Sequence, residues 1–411
     1  MPDYDIHTLP NGIRILHKQV THTKIAHSGF TLDIGSRDEQ PDQQGLAHFW
    51  EHMAFKGTQK RKSFHILNRL ESVGGELNAF TTKEKLCFYS SVLDAHFEKS
   101  FDLLTDITFN STFPSKEIEK ERGVILEEMA MYLDTPEEAI VDEFDAVVFK
   151  NHPLGNNILG TRESVSSFTK QDFIQFIDQN LETDRIVFSS VSNLPFKKVV
   201  KLAEKYLSDI PTIKRERHRE PFTLYQPEKV VVEKPISQAH CVIGCPAYSL
   251  NDDRRIPFFM LVNLLGGPGM NSRLNLAVRE KHGLVYTIDA NYGNYTDTGM
   301  FGIYFGTEKQ QLKRTTSLVL KELKKLREKP LGTLQLHTAK EQLMGQLAMS
   351  EESNIGFMMM MGKSILDLNR IDTLNEIFDQ IKKITASDLL EIANEILQED
   401  NLSFLTYLPV D

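Results

Sequence analysis

Two histidines and a glutamate occur at a spacing that suits metal-assisted hydrolysis: His48-Phe49-Trp50-Glu51-His52. In a helix, His48 and His52 lie one turn apart on one face, and two imidazoles so placed can ligate a single zinc ion. Glu51 sits beside such a metal without having to ligate it, and could take a proton from a water that the ion makes acidic. Zinc with catalytic work to do takes three protein ligands and leaves a fourth position open, so another donor is required. The run Glu121-Arg122-Gly123-Val124-Ile125-Leu126-Glu127-Glu128-Met129 offers candidates. Glu121 and Glu128 share one helix face, with Val124, Ile125 and Met129 around it. A carboxylate near an apolar face is costly unless paired or ligated, so both ask for a cation. Glu127 falls about 100° around the helix and reads as solvated.

The elements that must hold these residues are legible in the pattern. Asp42 is a plausible N-cap for a helix over 43–56, and Pro114-Ser115 opens a second over 115–133. Further helices are expected at 63–73, 95–107 and 171–181, and in the second half near 254–265, 310–327, 336–349 and 386–397. Asn11-Gly12 between two alternating runs predicts a hairpin, and Ile25–Ile34 another strand. Phe168-Thr169-Lys170-Gln171-Asp172-Phe173 matches Ile384-Thr385-Ala386-Ser387-Asp388-Leu389 as a capping-box-like helix start. The helix, turn and strand behind each keep one offset of 216 positions (384 − 168). This register points to internal duplication. The expected fold is α+β: two similar domains, each a largely antiparallel sheet packed with helices. The N-terminal metal-binding domain is placed at 1–212, a linker at 213–227 and a C-terminal domain without metal ligands at 228–411. The charged stretch Lys214-Arg215-Glu216-Arg217-His218-Arg219-Glu220-Pro221 reads as a solvated connector.

Composition narrows the alternatives. The chain has 411 residues, 40% hydrophobic and 25% charged, with a formal net charge of −10. That balance is ordinary for a globular protein and a poor one for binding nucleic acid or anionic lipid. No segment reaches the roughly 18 apolar residues of a membrane span, and the N-terminus lacks a basic region followed by an apolar run. A cytoplasmic protein is expected. Cys87, Cys241 and Cys245 are too few and odd in number for a disulfide framework; they are read as buried, inert thiols.

Several further stretches carry a likeness: Gly35-Ser36-Arg37-Asp38-Glu39, Gly45 through Thr58, Gly74-Gly75-Glu76-Leu77-Asn78-Ala79-Phe80-Thr81, Glu121–Met129, His152-Pro153-Leu154-Gly155 and Arg279-Glu280-Lys281-His282-Gly283-Leu284-Val285-Tyr286. In these the chain resembles the pitrilysin/insulinase family of inverted-motif zinc metallopeptidases. It is most similar to half-length members related to mitochondrial processing peptidase and to bacterial homologues. The resemblance implies that His48, His52 and Glu128 bind one zinc per chain, that Glu51 is the general base, and that Glu121 supports activity without direct ligation. It also implies that Asn78, Ala79 and Phe80 form an edge strand that pairs with an extended peptide substrate. Arg279 and Tyr286 match a pair that reaches the site from the opposite half-shell and holds substrate carbonyls or a developing oxyanion. A half-length chain then implies a dimer, a homodimer if both halves of the site come from one sequence, with a heterodimer as the alternative. Trp50 departs from the family's smaller residue, and altered packing is the expected consequence. The rival reading is a non-catalytic scaffold subunit of the same fold, or a catalytic subunit that requires a different partner.

Overall fold

Alternating hydrophobic residues on either side of Asn11-Gly12 produce the first hairpin. In the computed structural model, which describes residues 4–410, β1 (Asp5–Thr8) pairs antiparallel with β2 (Arg14–Gln19), and Gly12 turns the chain with φ 98°. With β3 (Ile25–Leu32), β4 (Glu76–Thr81), β5 (Leu86–Leu93) and β6 (Ile186–Ser192) they form a sheet of order β1-β2-β6-β3-β5-β4. A second sheet contains β7 (Lys229–Lys234), β8 (Ala239–Ala247), β9 (Val285–Asn294), β10 (Gly299–Thr307) and β11 (Ser403–Pro409), in the order β7-β11-β8-β10-β9. Each sheet has one parallel pair, β2 with β6 and β7 with β11; the other pairs are antiparallel. The series β2-β6-β3-β5-β4 and β7-β11-β8-β10-β9 therefore match in order and in sense, which is the duplication in structural form.

The helices of the first half are α1 (Leu46–Ala54), α2 (Ser63–Glu71), α3 (Phe97–Phe109), α4 (Ser115–Leu133), α5 (Pro136–Val148), α6 (Arg162–Ser167), α7 (Lys170–Asn180) and α8 (Phe196–Leu207). Those of the second are α9 (Arg255–Gly266), α10 (Leu312–Glu328), α11 (Thr333–Glu351), α12 (Asn354–Leu368), α13 (Leu374–Lys383) and α14 (Ala386–Ile396). The repeated capping signal is real: Thr169 N donates to Asp172 at 2.7 Å and Thr385 N to Asp388 at 2.8 Å. Among the described residues no helix is long and apolar enough to cross a membrane.

The chain divides into two compact units whose bounds differ from the linear halves. Unit 1 is Met1–Met129, Asn156–Arg219 and Met349–Thr373; unit 2 is Ala130–Gly155, Glu220–Ala348 and Leu374–Asp411. The reason lies in the sheets, each apolar on both faces. In unit 1, Phe30 and Phe188 point into a core shared with α1, α3 and α7, while Leu16, Val187 and Val191 on the other face need a separate cover. Helix α12 supplies it with Phe357, Met358, Met361 and Ile365, so the methionine-rich run is core packing. Gly362 permits the approach: a Cβ there would meet Thr31 Oγ1 at 2.5 Å. In unit 2, Val242, Leu405 and Tyr407 are covered in the same way by Ile140, Phe144 and Val148 of α5.

Two local expectations are corrected. Within the charged stretch, Lys214, Arg215, Glu216, His218 and Glu220 are exposed as expected, but Arg217 and Arg219 pack into unit 1. Arg219 Nη2 lies 2.8 Å from Asp38 and Arg217 Nη2 2.9 Å from Asp33, with Arg219 Nη1 also 3.5 Å from Glu84. Buried Asp33 and Asp38 require these cations, which an exposed linker could not supply. The N-cap of α1 is Gly45 rather than Asp42. Gly45 holds φ 93° and lies so close to the 159–160 backbone that a Cβ would come within 2.5 Å of Leu159 O. No side chain can cap the helix from that position. Buried Glu39 does so instead, its Oε2 accepting from Gly45 N at 2.9 Å and its Oε1 from Ala47 N at 2.7 Å. Burial raises this carboxyl above the ordinary range, while the two N–H groups pull it back toward the anion that accepts both.

Candidate metal centre

Helix α1 is held by its apolar side. Leu46, Ala47, Phe49, Trp50 and Met53 are buried in the unit 1 core; Trp50 lies edge-on to Phe88 and Phe176, so the large ring is packing. The opposite side presents His48, Glu51 and His52. The imidazoles meet with ring centroids 4.6 Å apart. Helix α4, anchored by Ile118 and Ile125, brings Glu128 to them: Oε1 lies 3.8 Å from His48 Nε2 and Oε2 3.5 Å from His52 Nε2. One ligand atom from each of the three residues lies within 4.8 Å of the others.

That spacing is too long for good hydrogen bonds and suits a shared cation. Zinc with bonds of about 2.0–2.1 Å sets tetrahedral ligand atoms roughly 3.3 Å apart, so small side-chain adjustments would close the set. The charges agree. Burial, with His52 beside it, pulls His48 down to about 3, so it is a neutral imidazole with a free lone pair. The donor set of two nitrogens and one carboxylate oxygen is one that zinc accepts with a position to spare.

The neighbours orient these groups. His52 Nδ1 lies 3.0 Å from Glu121 Oε1, and Glu121 Oε2 lies 2.6 Å from Lys56 Nζ. A carboxylate on Nδ1 fixes the proton there and leaves Nε2 toward Glu128. Burial works against the Glu121 anion, but the bonds from His52 and Lys56 hold its carboxyl below the usual range. Glu121 therefore stands behind a histidine and not in the cluster. Glu127 is exposed, as expected; Val124, expected on the apolar side, is exposed too. Glu51 Oε2 accepts from Thr81 Oγ1 at 2.5 Å. Burial raises the Glu51 carboxyl above the ordinary range, while Thr81 and His52 pull it back.

Thr81 ends β4, so β4 passes beside the motif helix. β4 is an edge: it pairs with β5, and no strand among the described residues lies on its other side. Asn78 is exposed, and Ala79 and Phe80 are half-buried. In unit 2, Arg279 lies in a π-helical turn over Asn275–Glu280 and Tyr286 at the start of β9, with the guanidinium carbon 5.9 Å from the ring centroid. Tyr286 is 86% exposed, so its hydroxyl is not committed to the core of its own unit. Sequence reasoning missed three groups here. Thr81 and Glu39 act across tertiary contacts that no local pattern records. Lys56 was within reach, because it follows His52 by four positions and so shares its face.

Residues 14–162 match the family described as Insulinase (Peptidase family M16), and residues 167–343 match the domain described as Peptidase M16 inactive domain. A protein of Bacillus subtilis named an uncharacterized zinc protease is 33% identical over 394 residues, covering 96% of each chain. The chain belongs to peptidase family M16. Its relatives include the beta subunit of mitochondrial-processing peptidase from Saccharomyces cerevisiae, 28% identical over 97% of this chain and 89% of that one. Two solved structures share the M16 fold. A protease from Helicobacter pylori superimposes with TM-score 0.90 at 20% identity over 100% of both chains. A Pseudomonas fluorescens structure titled peptidase M16 inactive domain gives 0.91 at 18% identity, over 99% and 98%. The His48–His52–Glu128 cluster lies within the stretch matched as insulinase.

Proposed function

We propose that the protein is a zinc-dependent endopeptidase acting on peptides or unfolded protein segments. The observation that carries this reading is the convergence of His48, His52 and Glu128 with Glu51 alongside. His48, His52 and Glu128 hold the ion. When bound, zinc polarises the scissile carbonyl and acidifies water. The remaining work belongs to the chain. Glu51 is the general base; it takes a proton from the attacking water and delivers it to the leaving amine. Thr81 holds one Glu51 oxygen, and the other is the one that would take the proton. Glu121 and Lys56 fix the His52 tautomer. The outer edge of β4 over Asn78, Ala79 and Phe80 receives the substrate as an added strand, whose main-chain bonds tolerate many side chains. Arg279 and Tyr286 hold substrate carbonyl oxygens, and two copies of the chain form the working enzyme.

A second reading has one observation in its favour: 167–343 match a domain described as inactive. A scaffold subunit would fit that half, but it leaves the His48–His52–Glu128 donor set of the first half without a role.

The test is metal content. Purified wild type is expected to hold about one zinc per chain, and His48→Ala and Glu128→Ala to lose it while keeping the circular-dichroism spectrum of the wild type. Full zinc occupancy in both variants would overturn the ligand assignment.

A further inference from the structure

We infer that Glu39 is the positioning residue of the metal-bearing helix, setting the angle at which α1 presents His48, Glu51 and His52. The inference rests on the metallopeptidase reading and extends it to a group outside the centre. The helix is short, and all three of its chemical residues lie within two turns of its N-terminus. Whatever fixes that terminus fixes them.

A side chain at the N-cap, the usual device, cannot serve here. The N-cap is a glycine pressed against the 159–160 backbone, with Gly160 equally tight against Gln44 O, where a Cβ would stand at 2.1 Å. Close packing thus excludes a capping side chain, and the N–H groups of Gly45 and Ala47 would otherwise be buried donors without acceptors. Glu39 reaches in from six residues before and takes both, one on each oxygen. A two-point hold defines orientation as well as position, as one bond would not.

Glu39 is itself anchored. It follows the turn Ser36–Asp38, where Asp38 Oδ2 accepts from Gly35 N at 2.9 Å. Arg219 clamps the same carboxylate with two 2.8 Å bonds, Nε to Oδ1 and Nη2 to Oδ2, and Arg217 Nη1 lies 3.3 Å from Oδ2. The segment that closes unit 1 therefore braces the turn from which Glu39 reaches the helix. None of these residues touches the reacting atoms, so the role is positioning.

Glu39→Gln tests this. The amide keeps size and polarity but can accept only one of the two N–H groups, and its NH2 faces the other. We expect a folded protein with faster amide hydrogen exchange across 45–54 and unchanged exchange over β2, β3 and β6. Zinc affinity, by chelator competition, is expected to fall about 10- to 100-fold. At saturating zinc, kcat should drop while KM stays near wild type, and Glu39→Asp should recover part of the loss. Wild-type zinc affinity and kcat in folded Glu39→Gln would overturn the inference, as would accelerated exchange throughout unit 1. If wild type itself bound no zinc, the peptidase reading would fail, and local exchange over 45–54 would still decide whether Glu39 holds the helix.

Discussion

At the scale of single residues, the site sets chemically similar groups apart by their contacts. Three glutamates surround two histidines, and their neighbours set them apart. Glu128 faces both imidazoles at 3.5–3.8 Å. Glu121 is tied to His52 and Lys56, and Glu51 to Thr81. Glu121→Gln keeps the shape but weakens the hold on the Nδ1 proton of His52. It is expected to lower zinc affinity about 10- to 100-fold, read by chelator competition, with the fold intact; an unchanged affinity would remove Glu121 from the metal's support. The His-x-x-Glu-His spacing and the two acids of 115–133 were legible because those residue types are hard to explain otherwise on a partly apolar face. The residue pattern alone left Glu121 and Glu128 on one face; the resemblance singled out Glu128 for the metal, and the docking of α4 sets Glu128 against both Nε2 atoms and Glu121 against His52 Nδ1. The three thiols were read as buried, and they are: burial pushes Cys87, Cys241 and Cys245 up to about 12.

At the scale of elements, connections matter as much as the helices and strands they join. The charge run at 214–221 looked solvated because a sequence shows charge without showing its partners. Asp33 and Asp38 were not recognisable as buried until β3 and the following turn were placed. Burial opposes the Asp33 anion, but Arg219, Lys85 and Arg217 together hold its carboxyl well below the ordinary range. The folded state therefore binds this proton less readily than the unfolded chain, so the contribution is fully present above the usual aspartate pKa and is lost as pH falls below it. Replacing Arg219 by Ala leaves Asp38, which is almost wholly buried, short of a partner and is expected to cost about 3–5 kcal/mol. Arg219→Lys should not restore it, because the two parallel bonds need a guanidinium. Urea unfolding at neutral pH measures this, and a loss within about 0.5 kcal/mol would mean the segment is merely surface.

At the scale of the whole molecule, duplication was legible in the constant offset and is matched by the shared strand order of the two sheets. The exchange of helices was not. Periodicity shows that 354–368 has an apolar side, but not which sheet that side covers. Because α12 belongs to unit 1 and α5 to unit 2, neither linear half contains its whole core. A fragment of residues 1–212 should therefore fail to unfold cooperatively and should expose the face of Leu16, Val187 and Val191. Co-expression with a segment covering 349–373 should restore a sharp transition. A cooperative transition in the fragment alone would show that α12 is dispensable.

The central claim, that this M16 chain hydrolyses peptides through a metal centre with Glu51 as base, is tested most directly by one paired measurement. Wild type and Glu51→Gln are assayed together for bound zinc and for cleavage of a mixed library of fluorogenic peptides. The account predicts about one zinc per chain in both proteins and a loss of cleavage of at least about 10²-fold in the variant. Cleavage by Glu51→Gln at the wild-type rate would contradict it, and so would a wild type that binds no zinc when the metal is supplied.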